Sequence, residues 1–312
     1  MKSRQYTDKI LMIEPVAFRF NPETASNTYY QKVLEGLSAA ETQERALNEF
    51  TDFVELLKSK GIDVTVVKDS VKSDTPDSIF PNNWVSFHNN GTVVLFPMFA
   101  ENRRTERRPE ILDQLREKGL LIREVVDMTD SENESLFLEG TGSMILDRDN
   151  RIAYAAISLR TNEQLLFDFC RQMDYRPCVF HSSQTVGKER LPIYHTNVMM
   201  CIGDHFAMIC LDSIDDLEER HAIIETIEDT NKEIIEISEE QVERFAGNML
   251  QVGSDQGIFI VMSSAAYNSL DEKQLNALEK HGTIIHSSLD TIEACGGGSA
   301  RCMMAEVFLP KV

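Results

Sequence analysis

The stretch WVSFHNNGTVVLFP, residues 84–97, reads as two short strands joined at Asn89-Asn90-Gly91. An Asn-Gly pair between apolar and β-branched runs marks a hairpin, because these residues accept the positive φ angles that a tight turn requires. Past the hairpin the pattern predicts a helix over 109–118 and a strand over 120–126. The unit is therefore strand, turn, strand, helix, strand.

The same order recurs along the chain. A second unit has strands at 143–146 and 151–156 around a turn at 147–150, a helix at 163–173 and a strand at 176–180. A third runs through 197–202, 205–211, a helix at 217–230 and a strand at 233–237. A fourth uses 248–250, 257–262, a helix at 271–281 and a strand at 283–286. The fifth is split between the termini: 302–308 supplies its first strand, 9–15 its second, 42–60 its helix and 63–67 its last strand. Five units of roughly 50 to 60 residues predict an α/β fold built as a closed, five-bladed propeller of ββαβ repeats. A doubly wound sheet fits less well, since hairpins recur where parallel crossovers would be needed and no GxGxxG follows a strand.

Composition narrows the classes of partner. The 312 residues, 42% hydrophobic, suffice for a large core, and residues 1–312 are read as a single catalytic domain. The 51 acidic against 31 basic residues give a net charge of −20, which repels phosphate backbones and argues against nucleic acid. The six cysteines show neither a CxxC pair nor Cys/His ligand spacing, so they read as reduced thiols with no metal site. The N-terminal MKSRQYTDKILMIEP lacks the apolar core of an export signal, and no later stretch reaches the length of a membrane span. A cytoplasmic protein acting on a small molecule, with no membrane partner, is expected.

A ring of repeats makes a geometric prediction. The residues just before each first strand should converge near the pseudo-symmetry axis: Asn82-Asn83, Glu139-Gly140-Thr141-Gly142, His195-Thr196-Asn197, Gly247-Asn248 and Cys302. The glycine run 296–298 allows a close backbone approach just before that cysteine. A lone cysteine is most often a small buried hydrophobe. A cysteine set against histidine, glutamate and asparagines is what a thiol hydrolase needs.

The segments PDSIFPNNW (76–84), FLEGTGSMILD (137–147), SLRTN (158–162), HTN (195–197) and GGGSARC (296–302) together resemble, in order, the guanidine-modifying pentein superfamily. That group includes arginine deiminases, dimethylarginine dimethylaminohydrolases, succinylarginine dihydrolase and glycine amidinotransferase. The resemblance spans nearly the whole chain, and within the superfamily it looks most like the bacterial citrulline-utilisation hydrolases. It implies the five-bladed pentein propeller and a reaction without cofactor.

Carried over position by position, the resemblance makes Cys302 the nucleophile, His195 the general acid/base and Glu139 the carboxylate that supports the imidazole and raises its imidazolium population. Glu139, between Leu138 and Gly140, also reads as a turn carboxylate. The resemblance gives Arg160 the substrate's α-carboxylate and Asp77 its α-amino group, although Asp77 suits a turn cap as well. Asn82, Asn83 and Asn197 complete the expected substrate contacts. The basic run 103–108 reads as a mobile lid or as a solvated face, and Cys295 is the neighbouring thiol that competes with Cys302.

Where the chain departs from the pattern, it points to a substrate. Arginine deiminases carry aspartates at the positions of Asn83 and Asn197, and here both are neutral. Two lost charge-assisted hydrogen bonds, worth about 1.5–3 kcal/mol each when buried, weaken the hold on a guanidinium. An amide both donates and accepts, which suits a ureido group. The expected reaction is citrulline to ornithine, CO2 and NH3 through an S-carbamoyl enzyme. The alternatives are an arginine deiminase or dihydrolase, a dimethylarginine hydrolase, an amidinotransferase, and a non-catalytic binding protein of the same fold.

Overall fold

The structure, a computed structural model, describes residues 5–312. Met1–Arg4, which open the stretch read as lacking an export signal, lie outside the described residues.

Each expected unit folds as one three-stranded sheet with an antiparallel pair followed by a parallel pair. In the first, Val85–Phe87 pairs antiparallel with Thr92–Leu95, which pairs parallel with Glu124–Asp127. Gly91, at φ +88°, closes the turn between the first two strands. The second sheet joins Ile145–Asp147, Ile152–Ala156 and Arg176–Phe180. The third joins Met200–Ile202, Phe206–Ile209 and Glu233–Glu236, and the fourth Leu250–Ser254, Gly257–Ser263 and Thr283–Ser287. The split unit forms as expected: Ala305–Glu306 pairs antiparallel with Lys9–Glu14, and that strand runs parallel to Asp63–Lys68. The result is a mixed α/β fold of small sheets.

Each parallel pair is bridged by a helix that the local sequence specifies. Ala39–Ser59 begins in a capping box between Ser38 and Glu41, and it buries Ala46, Phe50, Phe53, Val54 and Leu57 along one stripe. Glu163–Met173 starts where Asn162 accepts the Leu165 N–H at 3.1 Å, and Leu217–Glu228 starts at an Asp216 cap. Such caps are each worth about 1 kcal/mol. Core clusters cross between units: Leu250 and Val261 pack with Met303, Met304 and Ile10. Gln5 donates to the carbonyls of Leu146 (3.0 Å) and Ile202 (3.3 Å), tying the second and third sheets at their first strands.

The segments that enter the first strands differ from the expectation in a consistent way. Single helical turns stand there: Pro81–Asn83, Gly140–Ser143 and Thr196–Met199. The strand expected over 302–308 shrinks to Ala305–Glu306, because Cys302 N–H and Met303 N–H both turn back to the Ser299 carbonyl. Site residues thus sit on tight turns, with Glu139 and His195 each immediately ahead of one. The hairpin of Ser183–Val186 with Glu189–Pro192 and the 3-10 turns Glu101–Glu106 and Thr129–Glu134 lie outside the repeat. Among the described residues, no helix is long and apolar enough to cross a membrane.

Candidate active site

The turn around Cys302 is held from the neighbouring unit. Asn248 Oδ1 accepts the N–H of Arg301 at 3.0 Å and of Cys302 at 3.4 Å, while its Nδ2 donates to Cys302 Sγ at 3.2 Å and to the Asn197 carbonyl at 2.8 Å. Asn197 Nδ2 donates to the same sulfur at 3.4 Å. Two amides therefore aim N–H groups at one buried sulfur, an arrangement suited to negative charge there. Asn197 was among the expected contacts. Asn248 appeared only as an axis residue, and its grip on Cys302 depends on chain direction at Arg301, which no sequence motif encodes.

The glycine run supplies the approach to this turn. Gly297, at φ +67°, ends the helix Asp290–Gly296 in a left-handed cap. A Cβ there would lie 2.4 Å from Thr28 Cγ2, so the position also permits residue 28 to close over it. Tyr194 donates its hydroxyl to the Gly297 carbonyl and packs its ring 4.9 Å from that of His195.

His195 and Glu139 form the second half. His195 Nε2 lies 2.7 Å from Glu139 Oε2, and Glu139 Oε1 accepts the Phe99 N–H at 2.9 Å. Arg160 Nη1 stands 3.6 Å from the same carboxylate. Burial alone would push the Glu139 carboxyl up, but Arg160, the His195 hydrogen bond and the more distant Arg103 bring it down to about 2. Burial depresses the His195 imidazole to about 4; Glu139 pulls it upward, and the guanidiniums of Arg160 and Arg103 oppose that pull. The site therefore holds a carboxylate beside a neutral imidazole at neutral pH. Glu139 raises the imidazole's proton affinity, in the direction expected of it, but desolvation and two nearby cations outweigh that one carboxylate.

Cys302, His195, Asn83, Asp77 and Arg160 line one cavity of about 20 Å³, together with Phe80, Arg103 and Tyr194. Asp77 Oδ2 accepts from Asn21 Nδ2 at 2.7 Å and Thr24 Oγ1 at 3.1 Å, while its Oδ1 is buried without a partner. Arg160 is engaged by the segment that covers the cavity: Nε donates to Asn27 Oδ1 at 2.9 Å, and Nη2 to the Thr24 carbonyl at 2.9 Å and Thr28 Oγ1 at 2.8 Å. The cover is residues 21–31, and Gln31 Nε2 fastens it to the Gly296 carbonyl at 2.9 Å.

The basic run 103–108 is not that cover. Arg103 is 2% exposed, clasped by Glu106 and part of the cavity wall, whereas Arg107 is paired with Glu132 at 2.7 Å away from the cavity lining. Asn82 is fully buried but lines no part of the cavity; its main-chain carbonyl accepts from Thr141 Oγ1 at 3.3 Å. Cys295 also stands apart, on the helix Asp290–Gly296, with burial pushing its thiol up. A larger recess of about 470 Å³, lined by Tyr30, Gln184, Phe245 and Glu293, does not reach Cys302. Among the described residues, no group of three or more His, Cys, Asp or Glu side chains is placed to hold a metal ion.

With repeat and cavity both in view, the chain falls among the guanidine-modifying enzymes of the pentein superfamily. Residues 14–309 match the family described as N,N dimethylarginine dimethylhydrolase, eukaryotic, and the chain belongs to that family. No curated protein matches the chain. Among solved structures, it is similar to apo ArgZ, an arginine dihydrolase from the ornithine-ammonia cycle in cyanobacteria, at 19% identity and a TM-score of 0.74. That match covers 97% of this chain and 41% of ArgZ, so the chain spans about two fifths of that protein. The N-terminal domain of ArgZ bound to substrate aligns over 96% of this chain and 99% of the domain, at 19% identity and a TM-score of 0.72. A dimethylarginine dimethylaminohydrolase adduct with S-methyl-L-thiocitrulline aligns over 96% and 99%, at 15% identity and a TM-score of 0.63. At these identities the likeness is one of fold.

Proposed function

We propose that this protein hydrolyses a ureido or guanidino amino acid through a covalent cysteine intermediate, with citrulline giving ornithine, CO2 and NH3 as the leading reaction. The observation that carries this reading is the pair of neutral amides, Asn83 on the cavity wall and Asn197 on the Cys302 sulfur, at the two positions where the deiminase pattern has carboxylates.

In this reading Cys302 Sγ attacks the ureido carbon and His195, neutral in the free enzyme, takes the thiol proton. The C–S bond forms, the bond from carbon to the ornithine nitrogen breaks, and His195 returns the proton to that nitrogen. Water then attacks the S-carbamoyl carbon, releasing the thiol and carbamate, which decomposes to CO2 and NH3. Glu139 holds the imidazole. Asp77 Oδ1 meets the substrate ammonium, and Arg160, once the cover opens, meets its carboxylate. In the same reading residues 1–312 form one catalytic unit in the reducing cytoplasm, and the five sheets are blades of a ring around Cys302.

Hydrolysis of arginine or a methylated arginine is the second reading, favoured by the family match and by the fold shared with an arginine dihydrolase. Purified enzyme is incubated with citrulline, arginine and dimethylarginine, and ornithine, citrulline and ammonia are measured. The leading reading expects ornithine from citrulline, with turnover lost in Cys302→Ala and kept in Cys295→Ala. Absence of ornithine from citrulline sinks it and leaves the second.

A further inference from the structure

Asn83 does not stand free to show either face of its amide. Arg103, buried beside it, donates from Nη1 to Asn83 Oδ1 at 2.9 Å. The other side of the guanidinium is anchored: Nε and Nη2 grip the two carboxylate oxygens of Glu106 at 2.9 and 3.0 Å, and Nη2 also reaches the Phe80 carbonyl at 3.2 Å. A guanidinium has donors only, so the Asn83 atom facing it must be the carbonyl oxygen. The NH2 is thereby turned the other way.

There it is buried and has no partner. It lies over Gly142, where a Cβ would come within 2.4 Å of Asn83 Nδ2 and 3.0 Å of His195 Nδ1, so the amide nitrogen and the imidazole occupy the same stretch of wall. Asn83, His195 and Cys302 line one cavity. A ureido oxygen accepts the N–H groups that Asn83 shows there. A guanidinium brings donors against donors and leaves the amide unsatisfied, which is the kind of mismatch by which a built hydrogen-bond site rejects an analogue.

We propose that Arg103 is a specificity-determining positioning residue: by locking Asn83 with its NH2 toward the cavity, it makes the site select a carbonyl-bearing ureido carbon over a guanidinium carbon. This rests on the proposed ureido hydrolysis. Arg103 acts through Asn83 and through no step of bond making.

The test measures kcat/KM for citrulline and for arginine with the full chain, in the native enzyme, Arg103→Lys and Arg103→Met. Lysine also has donors only and keeps the Asn83 oxygen facing it, whereas methionine frees the amide to rotate. The native enzyme and Arg103→Lys are expected to prefer citrulline, and Arg103→Met to lose about tenfold to a hundredfold of that preference, the loss set by one unsatisfied buried group. An unchanged preference in Arg103→Met overturns the proposal alone, and a native preference for arginine overturns it together with the ureido reading. If Arg103→Met does not fold, Glu106→Gln, which loosens the anchor, is expected to move the preference in the same direction, and no movement overturns the proposal.

Discussion

Asn248 grips Cys302 at two atoms, donating from Nδ2 to Sγ at 3.2 Å and accepting the Cys302 N–H on Oδ1 at 3.4 Å. The same side chain takes the Arg301 N–H and supports the Asn197 carbonyl, so one amide joins the third, fourth and fifth units where they meet. Truncation in Asn248→Ala takes this partner from the Arg301 N–H and the Asn197 carbonyl, while the Cys302 N–H keeps the Ser299 carbonyl and Sγ keeps Asn197 Nδ2. The expected loss is about 1–3 kcal/mol in unfolding free energy, with slower alkylation of Cys302 and at least a tenfold fall in kcat. Urea denaturation and an iodoacetamide time course check the two parts, and an unchanged alkylation rate would show that Asn248 serves the fold alone.

Gly142 marks where Asn83 and His195 crowd against the turn that follows Glu139. A methyl group in Gly142→Ala meets Asn83 Nδ2 at 2.4 Å and His195 Cε1 at 3.1 Å, and it cannot be absorbed without moving one of them. Overpacking of this kind costs about 1–3 kcal/mol. Turnover is expected to fall more steeply than stability, because the displaced groups are those that line the cavity. Thermal melting and initial rates on one preparation compare the two losses.

The pair His195 and Glu139 makes part of the stability acid-sensitive. The folded imidazole, at about 4, lies below its ordinary 6.5, so the unfolded chain binds the extra proton between these values and stability falls as pH drops through that window. Glu139, lowered from 4.5 to about 2, adds a further loss below 4.5. Glu293 has the opposite sign: burial raises it to about 7, so its contribution is present at low pH and is lost as pH rises from 4.5 toward 7. The net profile mixes these terms, and differences between variants separate them. Relative to the native enzyme, His195→Gln is expected to gain roughly 1–3 kcal/mol between pH 7 and pH 4, read from urea midpoints at the two pH values. A constant difference would mean that His195 is not buried neutral.

The repeat was legible in the sequence because hairpin turns and capped amphipathic helices are local signals. Cys302, His195 and Glu139 were legible because the repeat places each at one phase, and the structure sets His195 on Glu139 and both His195 and Cys302 on one cavity. Three things were not. Arg103 lies in a run of charges that reads as solvent-facing, and its burial depends on Glu106 three residues away and on the main-chain carbonyl of Phe80. The neutral state of His195 follows from desolvation, which residue types alone do not report. The cover over residues 21–31 is short-turned and aperiodic, and its contacts run to Arg160 and Gly296, far away in sequence.

In the proposed reaction that cover governs how substrate reaches Cys302. A cavity of about 20 Å³ has room for about one water molecule, so the proposed reaction requires residues 21–31, which contribute Thr24 and Thr28 to its lining, to give way to an amino acid. The groups they release are the ones assigned to the substrate's head: Asn21 and Thr24 leave Asp77, while Thr24, Asn27 and Thr28 leave Arg160. Closing the cover thus competes with substrate for the same two side chains. Asn27→Ala removes the oxygen that accepts from both Nε and Nη2 of Arg160, a hold on a charged group worth about 1.5–3 kcal/mol in net terms, or roughly tenfold to a hundredfold in an equilibrium. The variant is expected to show a KM lowered by that factor, kcat little changed, and faster alkylation of Cys302 in the absence of substrate. A raised KM with unaltered alkylation would instead show that Asn27 helps to bind substrate in the closed state, and that opening of the cover is set elsewhere.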